Sequence, residues 1–569
     1  MRVTIDSRLR FSLDELATAR VGREHLERLM SSFEHVNPQH AKLARINPWA
    51  AKKEPKVIVS WKRDPDGSFS LPRGGLERLK QWAAEFGIAL EFDDRRKPGL
   101  TDGPFYQHNV ALWDHQKQIV AAIVKHEMML VRAHTGSGKT SAAIAAMCAI
   151  ARTTLIMVYD GALLRQWKQR LIAELGIGEC EIGIIGCGKF KPRTVTIAMQ
   201  QTLCRLTSEQ WSDLDSYFGC VIVDECHRVP ATTFQKVIDH LSARYRIGMS
   251  ATVKRKDGKE FLIYNQFGAV GIEIKPADLV AKNLVLDVEV VVVPTEFEAP
   301  WFVAAMQRLK DPGAGFDWKQ RLDYTRLEAE LAANAERTAL ATRLATECVV
   351  DGHQVILFAR RREHCLVLNQ AAAAAGIKSG LLVGSVQNAA EFADTIAKLN
   401  ARELSWASGT ISAVGQGLDI PTVARGVVLT PIATNKPMWG QVCGRLCRIA
   451  PGKADALIYY LYDQRIFGAS QLRNLERWNN RVSVLSGGRR VSVDEFLKGE
   501  EDGKAKSSRG ASDQEAGGRD RRRVRGRDDR AMWQVVDRGT ESRVPERDRG
   551  AGKGSSCEDL FGTATDWRR

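Results

Sequence analysis

The chain has 569 residues, 44% of them hydrophobic and 27% charged, which is ordinary globular composition and more length than one domain needs, so three or four domains are expected. A net charge of +15 favours polyanionic partners, because Lys and Arg neutralise phosphates and release their counterions. The absence of any apolar run of 18 residues excludes a spanning helix, Met1-Arg2-Val3-Thr4-Ile5-Asp6 lacks a signal pattern, and 11 scattered cysteines without a CxxC pair exclude a zinc site or disulfide framework; a cytoplasmic protein is expected.

In chain order, residues 1–100 read as a small α+β accessory domain. Val57-Ile58-Val59-Ser60-Trp61 is a strand by its β-branched run, Asp64-Pro65-Asp66-Gly67 a turn, and Ser68-Phe69-Ser70-Leu71 the partner strand. A helix over Leu76–Phe86 and a strand around Ala89–Phe92 follow, and Pro98-Gly99 closes the unit. From 101 to 282 short apolar strands alternate with helices, as in Met128–Val131, Thr154–Val158 and Cys220–Val223. Such runs indicate a parallel sheet covered on both faces. A second stretch of this kind spans 283–485, with strands Val355–Phe358 and Gly426–Leu429, preceded by a helical segment near 320–350 whose place in the fold stays open. Residues 486–569 form a low-complexity tail expected to be disordered. From 498 it carries 18 basic and 15 acidic residues, so most of the net charge lies on the body of the chain.

The stretch Ala133-His134-Thr135-Gly136-Ser137-Gly138-Lys139-Thr140 follows an apolar strand and opens a helix. That is the context a P-loop needs: glycines that let backbone N–H groups curl around phosphate, at a helix N-terminus whose dipole favours anions. ATP is the expected ligand. Lys139 is expected on the β/γ-phosphates and Thr140 on Mg²⁺. Ala133 stands where the general pattern has its first glycine. About 85 residues on, Cys220-Val221-Ile222-Val223 runs into Asp224-Glu225, a strand end that offers Asp224 to the Mg²⁺ shell and Glu225 to the attacking water. About 20 residues before the P-loop stands Gln116, whose amide has both the donor and the acceptor needed for an adenine edge.

These segments resemble motifs of the superfamily 2 helicases, in order. Thr135–Thr140, Asp224-Glu225-Cys226-His227 and Ser250-Ala251-Thr252 resemble motifs I, II and III, Gly415–Pro421 resembles motif V, and Gln441–Arg448 resembles motif VI. Within the superfamily, Leu163–Trp167, Val195–Leu203 and Gly248–Gly258 are similar to segments of the XPB-like and phage UvsW-like DNA helicases, with Val253 where proline is usual. Leu71-Pro72-Arg73-Gly74 is similar to an N-terminal domain of some phage and mobile-element members, which implies a bacterial or phage-infected host cell. The resemblance implies an α/β fold of two tandem RecA-like P-loop NTPase lobes, with ATP and Mg²⁺ between them. It implies arginine fingers at Arg445 and Arg448, which lie three apart and would share a helix face. It further implies lobe 2 contacts from Gly417 and Asp419, and coupling through His227, Ser250, Thr252 and Gln441. Tyr159-Asp160-Gly161 departs from the usual motif Ia.

The expected activity is that of an ATP-driven DNA helicase or translocase, moving 3′ to 5′ and acting as a monomer. DNA is expected over RNA as partner, since Asp224-Glu225-Cys226-His227 differs from the DEAD-box type. The alternatives are an RNA helicase and a nucleotide-gated clamp or remodeller that separates no strands.

Overall fold

The computed structural model describes residues 1–46, 48–100, 106–228, 231–253, 255, 257–310, 323–384, 389–414, 420–432 and 436–499. Three large sheets organise them, one in each successive part of the chain, and a two-stranded sheet accompanies the first.

The N-terminal sheet runs in the order Lys62–Arg63, Phe69–Pro72, Arg8–Phe11, Arg2–Ile5, Glu91–Asp94. It packs the helix Leu76–Glu85 over a core of Val3, Leu9, Phe33, Leu71 and Leu79. The expected hairpin is re-partnered. Across the Asp64–Gly67 turn it is Lys62–Arg63 that pairs with Phe69–Pro72, while Val57–Val59 pairs with Glu34–Val36 in a separate two-stranded sheet. The break lies at Ser60, whose N–H donates to Phe33 O and whose carbonyl accepts from the buried Arg8 guanidinium. Those backbone groups are therefore withdrawn from a continuous strand.

Lobe 1 is an eight-stranded sheet, parallel apart from its outermost hairpin. Its order is Lys189–Lys191, Ile182–Gly186, Val195–Met199, Thr154–Val158, Cys220–Val223, Tyr245–Ser250, Met128–Ala133, Val270–Ile274. The strand ending in Ser250 is inserted between the P-loop strand and the strand ending at the acidic pair. All three therefore deliver their C-terminal ends to one edge, where ligands of open α/β sheets bind. The helix Lys139–Ile150 is apolar all round, and Ala142, Ala143, Ile144 and Ala146 are fully buried, so it is enclosed between neighbouring elements.

Lobe 2 repeats the plan in the order Ser379–Leu382, Trp406–Thr410, Val355–Ala359, Arg425–Val428, Ala456–Asp463, Val288–Thr295, Arg481–Ser486, Arg489–Val491. The helical segment near 320–350 is part of this lobe. It forms Tyr324–Ala333 and Ala335–Val350, and Arg337 on the second helix donates to Asp463 at 2.7 Å with both side chains buried. The sheet runs on past residue 485 to Val491.

The N-terminal unit is fastened to lobe 1. Arg8 pairs with Asp239 at 3.2 Å, Arg73 donates to Ala243 O at 2.6 Å, and Arg246 donates back to Ser7 O at 3.1 Å. Arg8, Arg73 and Arg246 are all buried, each supplied with backbone or carboxylate acceptors, as buried cations must be. Among the described residues no helix is long and apolar enough to cross a membrane.

Candidate nucleotide cleft

Gly136 and Gly138 take φ of +91° and +73°, left-handed values that L side chains rarely adopt, and they fold the P-loop tightly. Lys139 opens the following helix and its Nζ donates to Ala133 O at 3.0 Å, bridging the loop it belongs to. Ser137 is buried, and its carbonyl accepts from His115 Nε2 at 2.7 Å. Gln116 is buried too. Its Oε1 accepts from Trp113 N at 2.8 Å, and its Nε2 lies 3.3 Å from Gly138 O and 3.4 Å from Ser137 O. A Cβ on Gly138 would stand 2.1 Å from that nitrogen. The glutamine amide is thus turned onto the P-loop, fixing its shape while lining the cleft. His134 is half-buried, and its desolvation and the Lys139 charge push its imidazole down to about 4, so it is neutral at physiological pH.

The acidic pair closes the opposite wall. Asp224 continues the ladder through its N–H to Met157 O, and then Glu225 turns the chain at φ +46°. A non-glycine residue held there carries strain of roughly 1–3 kcal/mol, a feature that clusters at functional sites. Both Asp224 oxygens are engaged: Trp167 Nε1 donates to one at 2.8 Å and Glu225 N to the other at 2.9 Å. Burial, and then the Glu225 charge, push the Asp224 carboxyl up to about 6.

From Glu225 a relay leads along the sheet edge. His227 Nδ1 lies 3.3 Å from Glu225 Oε2 and 2.8 Å from Ser250 Oγ. Ser250 Oγ accepts from Thr252 N at 3.1 Å, and Arg255 donates to His227 O at 3.1 Å. Of the four residues expected to act in coupling, His227, Ser250 and Thr252 follow Glu225 in direct sequence, while the fourth, Gln441, lies in lobe 2 and lines the cleft.

Lobe 2 faces this edge. The cleft, about 500 Å³, is lined by Gln116, Thr135, Lys139, Thr140, Asp224 and Glu225 from lobe 1 and by Gln441, Arg445 and Arg448 from lobe 2. The helix that carries Arg445 is Lys436–Leu446, so Arg448 lies past its end and the two arginines do not share a helix face. The chain leaving the helix reaches the cleft instead, fixed where Leu286 N donates to Cys447 O at 2.6 Å. Burial and the neighbouring Arg170 push Arg448 down to about 10, which leaves it cationic. Lys453 ties this segment from behind, donating to Leu446 O at 2.6 Å and to Pro421 O at 3.1 Å. Gly417 and Asp419 lie outside the described residues; Pro421, just after them, lines the cleft.

Four residues gain a place here that sequence reasoning did not assign. His115 and Trp167 orient the P-loop and Asp224. Glu174, buried, accepts from Ser141 Oγ at 2.8 Å and from Arg170 at 3.1 Å, which seats Arg170 in the cleft. Trp167 stands inside the Leu163–Trp167 segment, so its signal was present; Glu174 and Arg170 sit in an unremarkable amphipathic helix.

Residues 109–255 match the family described as Type III restriction enzyme, res subunit. The DNA 3'-5' helicase XPB of Mycobacterium tuberculosis is 30% identical over 240 residues, 40% of this chain and 43% of that protein. The probable helicase D10 of Escherichia phage T5 is 24% identical over 375 residues, 65% of this chain and 75% of that protein. The solved structure of T4 UvsW covers 85% of this chain and 100% of that one, at 14% identity and a TM-score of 0.36. The chain thus spans less than half of the mycobacterial relative. The sequence similarities bear out the resemblance to superfamily 2 helicases of the XPB-like and phage kinds.

Proposed function

We propose that this protein is a DNA-dependent ATPase that couples ATP hydrolysis to movement along, or unwinding of, DNA. The observation that carries the reading is the meeting of Lys139, Asp224 and Glu225 from one lobe with Gln441, Arg445 and Arg448 from the other around one cleft. Similarity to proteins named as DNA 3'-5' helicases supports DNA over RNA as the track and 3′ to 5′ as the direction.

The roles follow from chemistry. The P-loop N–H groups and Lys139 hold the polyphosphate, at the positive end of the helix Lys139–Ile150. Glu225 orients the attacking water and takes its proton. Arg445 and Arg448 neutralise charge that grows on the transferred phosphoryl group, a contribution of about 10³–10⁵ in rate for related arginine fingers. Because these cations come from different lobes, a bound triphosphate favours the closed arrangement and hydrolysis weakens it, which gives two states with different ligand contacts. The donor set suits a divalent cation, since a buried carboxylate and a hydroxyl open on the same cleft; Thr140 and Asp224 would hold Mg²⁺. Bound there, Mg²⁺ would supply charge neutralisation of the phosphates. The relay from Glu225 through His227 to Ser250 and Thr252 reports the state of the cleft to the segment beyond residue 252. Steady-state ATPase assays with and without DNA test the proposal, and fork against blunt duplex separates unwinding from translocation.

A further inference from the structure

Among the described residues the most exposed large aromatic side chain is Trp49, at 68%. It lies on the short helix Pro48–Ala51 of the N-terminal unit, with Lys53 Nζ 4.2 Å from its ring centroid. Lys52 and Lys56 are exposed on the same excursion of the chain, between Glu34–Val36 and Val57–Val59. The register of that two-stranded sheet sets Val36 opposite Val57 and Glu34 opposite Val59, on one face. Val36, Val57 and Val59 on it are exposed, while His35 on the other face meets Phe261 of lobe 1 in a tilted ring contact, with the centroids 4.0 Å apart. The nearby acids are engaged elsewhere. Glu34 accepts from Trp61 Nε1 at 2.9 Å, and Glu54 accepts from Asn37 at 3.3 Å and lies 4.0 Å from Lys259. What this part of the chain offers to solvent is therefore an indole, apolar side chains, three lysines and the Glu34 carboxylate that Trp61 holds.

Its position matters as much as its chemistry. Pro38 packs on Gly258, where a Cβ would stand 3.1 Å from the proline ring, and Lys259 faces Glu54. Both lobe 1 residues follow Arg255, which donates to His227 O. The excursion is thus seated on the segment into which the relay from Glu225 leads.

We propose that Trp49 is a base-stacking platform for single-stranded nucleic acid, with Lys52, Lys53 and Lys56 neutralising the phosphates beside it. Every base has a π-face, so an exposed indole with Lys53 beside its ring and further lysines along the same excursion suits a strand whose bases are unpaired. A blunt duplex hides its base faces and gains only the lysine contacts. Of the two carboxylates beside the excursion, Glu54 is drawn to Lys259 and Glu34 is held by Trp61, so lysines outnumber free carboxylates at this rim, as a polyanionic strand requires. The inference rests on the nucleic-acid-dependent motor proposed above.

The test uses the full chain and a labelled single-stranded oligothymidylate, with binding, basal ATPase activity and thermal melting measured together. Trp49→Ala is expected to weaken binding by about 5- to 100-fold, the range of a lost base–aromatic stack. Trp49→Phe restores most of it, while melting and basal turnover stay as in the parent. Blunt duplex binding changes little. Replacing the three lysines by alanine lowers the salt slope by about 2, at about 0.7 per phosphate released from a single strand. Unchanged oligothymidylate binding by Trp49→Ala, in a parent that does bind, overturns the platform and leaves the motor standing. Equal losses on single strand and blunt duplex also overturn it. A parent that neither binds nor responds to any nucleic acid overturns the motor proposal itself.

Discussion

Gly444 of lobe 2 lies against Thr135 of the P-loop so closely that a Cβ built on the glycine would stand 2.5 Å from the Thr135 Cβ. The two lobes therefore touch at the point where the arginine-bearing segment passes the phosphate loop. Neither a β-carbon nor the helix that carries it can yield there without parting the lobes. Gly444→Ala is expected to lower ATP turnover at least about 10-fold, since a misplacement near 1 Å can cost 10²-fold, while ATP analogue binding to lobe 1 persists. Turnover and analogue affinity measured on the same preparation check it.

Trp167→Phe keeps the buried ring but removes the N–H that Asp224 accepts at 2.8 Å. Groups that orient a metal-holding carboxylate are commonly worth 10–100-fold in metal affinity or activity. The variant is expected to need more Mg²⁺ for half-maximal ATPase, by about that factor, with the ATP dependence at saturating Mg²⁺ less affected. An unchanged Mg²⁺ titration would remove Trp167 from the account.

Glu225→Gln keeps the size and loses the base, so ATP binds and turnover falls by about 10²–10⁴. Arg448→Ala, and Arg445→Ala beside it, are expected to retain nucleotide binding and lose about 10³ or more in rate. Single-turnover hydrolysis of labelled ATP distinguishes these losses from weakened binding.

His227 stands between Glu225 and Ser250, at 3.3 and 2.8 Å. His227→Ala is expected to keep measurable basal hydrolysis and lose the stimulation that nucleic acid gives. The ratio of stimulated to basal rate is the readout, and an unchanged ratio would contradict a coupling role.

Asp239 accepts from the buried Arg8 and pairs with Lys62, holding the N-terminal unit to lobe 1. Asp239→Ala leaves the Arg8 charge buried without its carboxylate, at a cost of about 3–5 kcal/mol. Thermal unfolding is expected to shift downward, and limited proteolysis to release residues 1 to about 97 first. A melt superimposable on the parent would show that the junction is held by its backbone contacts.

Much of this was legible in the residues because each motif sits where two local signals coincide. The P-loop is glycines between an apolar strand and an alanine-rich helix; the acidic pair ends an apolar strand. Both lobes were readable from alternating strands and helices. Other features depend on contacts between segments far apart in the chain. The partner of Val57–Val59 is set by Ser60 meeting Phe33 and Arg8, which no local propensity encodes. Arg448 was expected on a helix face from its spacing, yet the helix ends at Leu446 and the chain beyond it is placed by Leu286 and Lys453. Glu174 and Arg170 gain meaning only once Ser141 is beside them.

The measurement that bears most directly on the central claim is the steady-state ATPase rate without nucleic acid and with single-stranded DNA, blunt duplex, forked DNA and RNA, using Lys139→Ala as the blank. The account predicts a rate that rises strongly with DNA and vanishes in Lys139→Ala. A rate unmoved by any DNA, or raised by RNA alone, would contradict it.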